Sequence, residues 1–358
     1  MSGNLIHNDL RINSYGSYLR RRFHCRVSKV NVDGGFTCPN RDGVKGTGGC
    51  IFCNNNSFSP ESTQQNIPIE TQIAEGIAYH RLRFGSVKFV IYFQKHTNTY
   101  SSLDKLQSLY RRALVNPDTI GISIGTRPDC LADDTIDLLE ELARTRYVCV
   151  ELGLQSMDDA ILSRINRGHG LSEYLSAVER LAGKGIDICT HLIYGFPGET
   201  REGFLETADL IAKLPVNSLK IHQLHAVKGT TLAGMYARGE FLPLAHAEYV
   251  TTVCDFLERI PPDIAIQRLY GSAPLAIRVA PAWGLKNNQM WYSVINELKR
   301  RKSCQGCRLP GITGSIRPDL TINRSPHPPS DLQSIESGSG YVPPQISCIK
   351  KSTERNWP

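Results

Sequence analysis

Short apolar, β-branched runs alternate along the chain with longer amphipathic segments. Six such runs predict strands, and they begin near Val27, Val87, Thr119, Tyr147, Asp187 and Asn217. The segments between them place apolar residues three or four positions apart, as helices do. Repeated βα units of this kind build a parallel sheet. The sequence therefore predicts an α/β fold, a partial (βα)6 TIM-like barrel whose strand C-termini share one face.

The alternation divides the chain into four predicted segments. Residues 1–25 form a basic N-terminal segment, 26–268 the core domain, and 269–308 a C-terminal α/β extension. The remaining segment, 309–358, is rich in Pro, Ser and Gly and offers little apolar surface to bury. We therefore predict that it is a disordered tail.

Composition narrows the class of protein. The chain has 358 residues, 41% hydrophobic and 21% charged, as in ordinary globular proteins. It has no apolar run long enough for a signal peptide or a membrane span, so we expect a cytoplasmic protein without a membrane partner. The net charge of +7 includes an N-terminal cluster with Arg20, Arg21 and Arg22. That cluster could contact nucleic acid, but without interleaved aromatics a solvated face is the favoured interpretation.

Three of the eleven cysteines lie in one loop directly after the first predicted strand. Cys38, Cys50 and Cys53 have the spacing Cys-x11-Cys-x2-Cys, and the glycines between them let the backbone turn several sulfurs toward one point. In a reducing compartment such a group indicates metal binding. Thiolates are the usual ligands of iron-sulfur clusters, and three of them leave one iron of a cubane open.

Zinc is the alternative metal for this loop. Structural zinc takes four ligands, so a fourth, such as His96, would have to be recruited. On that interpretation the chain is a zinc-dependent nucleic-acid-binding module that also uses the basic N-terminus. Cys304 and Cys307 form a separate CxxC that lacks partner ligands in the sequence, and we do not predict a second metal there.

The cysteine loop is one of five segments that resemble the radical S-adenosylmethionine (SAM) superfamily. The other four are YFQKHTNTY, SIGTRPDCL, VELGLQSMDDAILSRINRGH and HLIYGFPGET. Residues from about 10 to 300 resemble its YhcC-like family. That family is similar to the radical domain of the Elongator catalytic subunit and, more distantly, to oxygen-independent coproporphyrinogen oxidase.

The resemblance implies the radical SAM type of barrel and its two cofactors. Cys38, Cys50 and Cys53 would bind a 4Fe-4S cluster, whose open iron would take the methionine moiety of SAM. Reductive cleavage would give a 5′-deoxyadenosyl radical that abstracts hydrogen from substrate, without a catalytic side chain beyond the cluster ligands. A small electron donor such as flavodoxin or ferredoxin is the implied partner. The substrate is left open between RNA and a metabolite.

The resemblance also implies cofactor contacts in the first half of the barrel. Phe52 matches an aromatic residue near the adenine. Gln94, Asn98 and Thr99 stand at the end of the second strand, where the family usually has an acidic residue that is missing here. They are candidates for polar contacts with the cofactor, or alternatively turn residues. Arg127, after the third strand, would project a guanidinium suited to a carboxylate or phosphate.

The second half of the barrel supplies the remaining implied contacts. Glu151 and Gln155, on the strand ending in ELGLQS, would reach the ribose and its surroundings. Arg167 would bind the carboxylate of SAM. Backbone groups around Tyr194 and Gly195 would lie against the adenine. We interpret Asp129 as a cap of the helix that follows it.

Overall fold

The computed structural model describes residues 11–54 and 67–310. Its centre is a parallel sheet of seven strands in the order β1-β2-β3-β4-β5-β6-β8, and β7 and β9 form a separate antiparallel pair. The strands are β1 (Val27–Val32), β2 (Lys88–Phe93), β3 (Thr119–Thr126), β4 (Tyr147–Gln155), β5 (Asp187–Tyr194), β6 (Ser218–Gln223), β7 (Ala226–Val227), β8 (Ala265–Arg268) and β9 (Arg278–Ala280).

Helices connect the strands and cover the outer face of the sheet. They are α1 (Tyr15–Phe23), α2 (Ile69–Phe84), α3 (Leu103–Ala113), α4 (Asp133–Ala143), α5 (Asp159–Arg164), α6 (Leu171–Leu181), α7 (Arg201–Ile211), α8 (Thr231–Ala237), α9 (His246–Leu257) and α10 (Asn287–Arg300). Apolar side chains of α2, α3, α4, α6, α7 and α9 and the outward residues of the strands form one continuous core. That burial holds the sheet in a fixed curve.

The α/β partial barrel predicted from the sequence is confirmed. The sheet has one strand more than the six predicted units, because Ala265–Arg268 pairs with β6 as a seventh strand. β1 and β8 are the two edges of the sheet, so the barrel is open. The predicted disordered tail, 309–358, lies outside the described residues except for its first two positions. The boundaries of the four predicted segments stay predictions.

Helix α1 closes the end of the barrel at which the strands begin. The Tyr15 hydroxyl lies 2.9 Å from that of Tyr147, and the Tyr18 hydroxyl donates to Asp187 at 2.6 Å. Arg22 also binds Asp187, at 2.9 Å, and its side chain is only 10% exposed. Arg22 is therefore neither a nucleic-acid contact nor part of a solvated face. It neutralises a buried carboxylate at the bottom of the barrel.

The C-terminal extension returns to the start of the chain. Gln305 is fully buried, accepts a hydrogen bond from the Asn13 amide at 3.0 Å, and donates to the carbonyls of Pro261 and Ile264 at 2.8 Å each. Cys304 and Cys307 flank it as free thiols and join no three-ligand group among the described residues. The buried hydrogen bonds of Gln305 account for this turn as a structural element. None of the helices in the described part of the chain is long and apolar enough to cross a membrane.

Candidate functional site

An open cavity of about 210 Å³ lies at the face where the strands end. Nine of the thirteen predicted site residues line it, and they are Cys38, Cys50, Cys53, Phe52, Gln94, Arg127, Glu151, Gln155 and Arg167. The other four, Asn98, Thr99, Tyr194 and Gly195, do not line this cavity. Residues separated by more than 120 positions in the sequence thus meet in one place, as parallel strand ends require.

The cysteine loop is held in place by the segment that follows α5. Asn166 donates from its side chain to the Gly49 carbonyl at 2.8 Å, and its own carbonyl accepts from the Asn40 side chain at 2.6 Å. The Ile51 amide donates to the Ile165 carbonyl at 3.1 Å. These bonds tie the loop to the segment after β4, and all three cysteines line the cavity.

Cationic and amide donors surround the sulfur of Cys50. Asn40 Nδ2 and Arg167 Nη1 each lie 3.7 Å from it, within the range of hydrogen bonds to sulfur. Burial and the neighbouring Cys50 raise the pKa of the Cys53 thiol. A metal centre would offset that cost, because a coordinating thiol is deprotonated by the ion it binds. The loop is therefore built to hold a positively charged group against three thiolates.

The spacing of the sulfurs bears on which metal fits. Tetrahedral zinc with Zn–S bonds of about 2.3 Å holds its sulfurs about 3.8 Å apart. In the described part of the chain, the three cysteine sulfurs do not form a group whose members all lie within 4.8 Å of one another. His96, the fourth ligand of the zinc alternative, does line the cavity. Among the described residues, the three sulfurs are therefore not already gathered as the ligands of one ion.

Gln155 and Arg167 stand beside the cysteine loop with unused polar atoms. Gln155 ends β4 in a left-handed conformation, with φ at 77°, and its Oε1 is buried without a partner. Arg167 donates to the Gly153 carbonyl at 2.8 Å, but its Nε has no partner. A Cβ on Gly153 would lie 2.6 Å from Arg167 Nη2, so a glycine is required for this approach. Both unpaired atoms belong to residues that line the cavity, so they are available to a ligand that enters it.

All three nitrogens of the Arg127 guanidinium already have hydrogen-bond partners within the protein. It forms a bidentate pair with Asp129, at 2.9 Å on both nitrogens, and donates to the carbonyls of Arg167 and Gly168. Asp129 also binds Lys45, and although burial opposes ionisation, Arg127 and Lys45 lower its pKa to about 2. The interpretation of Asp129 as a helix cap is wrong, because its carboxylate is turned toward Arg127. Arg127 positions the backbone at Arg167, and its contact with a ligand stays a prediction.

The four predicted residues outside the cavity lining have local partners. Asn98 donates to the carbonyls of Phe93 and Gly125, and Thr99 bonds Thr126 at 2.6 Å, so both tie strand ends together as turn residues do. Tyr194 stacks on Phe204, with ring centroids 4.3 Å apart. The cofactor contacts predicted for these residues remain untested.

The turn after Tyr194 has a partner of its own in Glu199. The amides of Gly195 and Phe196 both donate to the Glu199 carboxylate, at 2.7 and 3.1 Å. Burial raises the pKa of Glu199 to about 7. The Gly195 amide is therefore not available to an adenine while Glu199 holds it. Phe52 does reach this turn, and its ring centroid lies 5.5 Å from that of Phe196.

Glu151 is at the centre of a buried charge network that the sequence did not reveal. Its fully buried carboxylate binds Lys29, Lys220, His191 at 2.7 Å and Ser123 at 2.7 Å. Burial favours the neutral acid, but Lys220 and Lys29 hold the pKa of Glu151 well below its ordinary value. The predicted ribose contact would require Glu151 to leave these partners. Its position four residues before the end of β4 instead places it on the cavity floor.

Comparison with known proteins identifies the family. The Radical SAM superfamily model matches residues 41–211, and the Radical_SAM C-terminal domain model matches 216–300. YtqA of Bacillus subtilis is 38% identical over 83% of this chain and 92% of its own length. YhcC of Escherichia coli K12 is 36% identical over 76% of this chain and 87% of its own. This chain belongs to the radical SAM superfamily.

Solved structures show the same fold. The Elp3 of the archaeon Methanocaldococcus infernus superposes with a TM-score of 0.60 at 20% identity, over 78% of this chain and 64% of that chain. Methylornithine synthase (PylB) gives 0.53 at 12% identity, over 90% and 82%. Membership in the radical SAM superfamily confirms the predicted cofactor pair, SAM and a 4Fe-4S cluster, and nothing in the matches supports the zinc alternative.

Proposed function

We propose that this radical SAM protein binds SAM between the cysteine loop and the end of β4, and abstracts hydrogen from a substrate in the same cavity. The observation that carries this proposal is the pair of unpartnered atoms, Gln155 Oε1 and Arg167 Nε, in the cavity that Cys50 also lines. Cys38, Cys50 and Cys53 would hold the 4Fe-4S cluster. When bound, the cluster and SAM together supply the one-electron cleavage that yields a 5′-deoxyadenosyl radical.

Each residue of the cavity wall would contact a different part of SAM. Arg167 lies against Cys50 and can reach a carboxylate placed at the open iron. Gln155 would accept from a ribose hydroxyl through its free Oε1. The ring of Phe52, paired with Phe196, would cover one side of the adenine. The chain then has to supply orientation and exclusion of water rather than a general acid or base.

The electron donor is part of the same proposal. A reduced cluster needs a one-electron source, and small iron-sulfur or flavin proteins such as ferredoxin or flavodoxin have that chemistry. In a coupled assay with SAM, flavodoxin and its reductase should replace dithionite. Activity with dithionite but none with flavodoxin and its reductase would count against this donor.

Gln155→Asn should weaken SAM binding without changing the iron content. Asparagine tolerates the left-handed backbone at this position but withdraws the amide by one methylene. Loss of one hydrogen bond to a buried polar group predicts a roughly tenfold higher Kd. The measurement is a SAM titration followed by the electron paramagnetic resonance of the reduced cluster. We choose Gln155 rather than Arg167 because Arg167 also contacts Cys50, so its loss would disturb cluster and cofactor together.

Gln107→Asn on α3 is the matched control, because the same change is made outside the cavity lining. We expect it to titrate like wild type. If Gln155→Asn also titrates like wild type at full iron content, SAM does not use Gln155, even though the cluster assignment stands.

A further inference from the structure

The floor of the cavity carries more positive charge than the cofactors account for. Lys220 lies three residues before the end of β6, and Arg268, its register partner on β8, ends the last strand of the sheet. Both side chains line the cavity. In parallel strands, register partners project to the same side of the sheet. The two cations therefore stand side by side, below the mouth that the cysteine loop occupies.

One carboxylate is shared by two lysines on this floor. Glu151 binds Lys29 and Lys220, and it is the only acidic side chain among the described residues that line the cavity. The side chain of Arg268 forms no hydrogen bond or ion pair with any other described residue. A guanidinium that faces a half-enclosed cavity without a carboxylate is a recognition group for a ligand anion.

The two neighbouring histidines are neutral and neither add to nor cancel the positive charge of the floor. Burial, followed by Lys220, lowers the pKa of His191 to about 4, and burial with Arg268 nearby holds the pKa of His222 well below its ordinary value. His222 Nε2 is buried and has no partner. A neutral imidazole there can donate one hydrogen bond to an anion or accept one from a protonated group.

The same charges exclude a metal ion at this place. Ligand atoms of Glu151, Cys189 and His191 all lie within 4.8 Å of one another, which is compact enough for a single ion. Lys29 and Lys220 already bond the Glu151 carboxylate, so a divalent cation would face two ammonium groups at contact distance. The electrostatics of the floor favour an anion over a cation.

We propose that the cavity floor binds a carboxylate or phosphate group of the substrate through Arg268, with Lys220 and His222 beside it. This proposal rests on the proposed function, because the substrate must enter the cavity that holds SAM. Arg268 and Lys220 would fix the charged end of the substrate and so place its reacting carbon toward the mouth. Carboxylate and phosphate share this recognition chemistry, and the experiment below distinguishes them.

The test uses the full chain with its cluster, saturated with SAM so that the open iron is covered. Inorganic phosphate and acetate serve as separate probes at constant ionic strength, followed by phosphorus and carbon NMR line broadening. We expect saturable binding of at least one anion to wild type. Arg268→Gln should weaken that binding about tenfold or more, because a charge-assisted bond is lost. A preference for phosphate or for acetate identifies which group the substrate carries.

Arg144→Gln is the matched control. Arg144 is exposed at the end of α4, so this substitution removes the same charge outside the cavity. Arg268→Lys retains the charge and should restore part of the binding. Iron content, SAM titration and urea unfolding of each variant show that cluster, cofactor and fold are intact. Absence of binding to wild type, or equal binding by Arg268→Gln, overturns the anion site. Absence of SAM binding by wild type would instead overturn the proposed function, and the anion titration can then be run without SAM.

Discussion

Cys50→Ala protein, purified without oxygen, is expected to be colourless and to bind close to zero iron, against about four atoms per chain in the brown wild type. Cys38→Ala and Cys53→Ala should behave in the same way. The three sulfurs line one cavity, and a three-thiolate cluster that loses one ligand has only two left. Iron and acid-labile sulfide analysis, with the visible absorption spectrum, measures the loss.

Cys25→Ala provides the matched control for this loss. Cys25 is a free cysteine that precedes β1, at the end of the barrel opposite to the cysteine loop. Its replacement should leave iron and colour unchanged. A colourless wild type that holds one zinc per chain would contradict the cluster and return the loop to the zinc alternative.

Glu151→Gln is expected to destabilise the fold by about 3–5 kcal/mol at pH 7, because it leaves the buried Lys220 and the partly buried Lys29 without their shared carboxylate. Glu151 is 0% exposed, and Lys220 is only 6% exposed. Part of the cost can be relieved by loss of a proton from Lys220, because burial already lowers its pKa to about 8. Urea unfolding followed by circular dichroism measures the difference.

The pH dependence of this effect has a defined sign. The folded-state pKa of Glu151 is lower than its unfolded value, so its stabilisation is complete above that unfolded value and is lost only as the pH falls through the folded one. The gap between wild type and Glu151→Gln should therefore persist at pH 7 and narrow in acid below about pH 4.5. Glu141→Gln breaks a pair with Arg111 in which both side chains are about half exposed, and should cost under about 1 kcal/mol. A similarly small effect at Glu151 would contradict its central place in the network.

The sequence was sufficient where a local pattern determines structure. Short apolar, β-branched runs predicted β1 to β6. The cysteine spacing and its place after β1 predicted the loop that faces the cavity. Gln155 and Arg167 were found through the resemblance, and their unpartnered atoms agree with a ligand-binding role.

The sequence was insufficient where the partner of a polar residue is set by sheet register. Lys220 and His222 interrupt an apolar strand at alternate positions, a signal that one face of β6 is polar. Which carboxylate Lys220 meets, and which groups surround His222, depends on β4, β5 and β8, which are separated from them by more than 25 residues. From the sequence alone, a structural role in a turn or a helix cap was therefore as well supported for a single polar residue as a functional role. Asp129 was assigned wrongly for that reason.

The most direct test of the central claim is the formation of 5′-deoxyadenosine from SAM by the anaerobic wild-type chain with dithionite. We expect the product, detected by liquid chromatography and mass spectrometry, to form slowly without substrate and to require both SAM and dithionite. Cys50→Ala should give none. An iron-replete wild type that yields no more 5′-deoxyadenosine than Cys50→Ala would contradict the radical SAM account of this cavity.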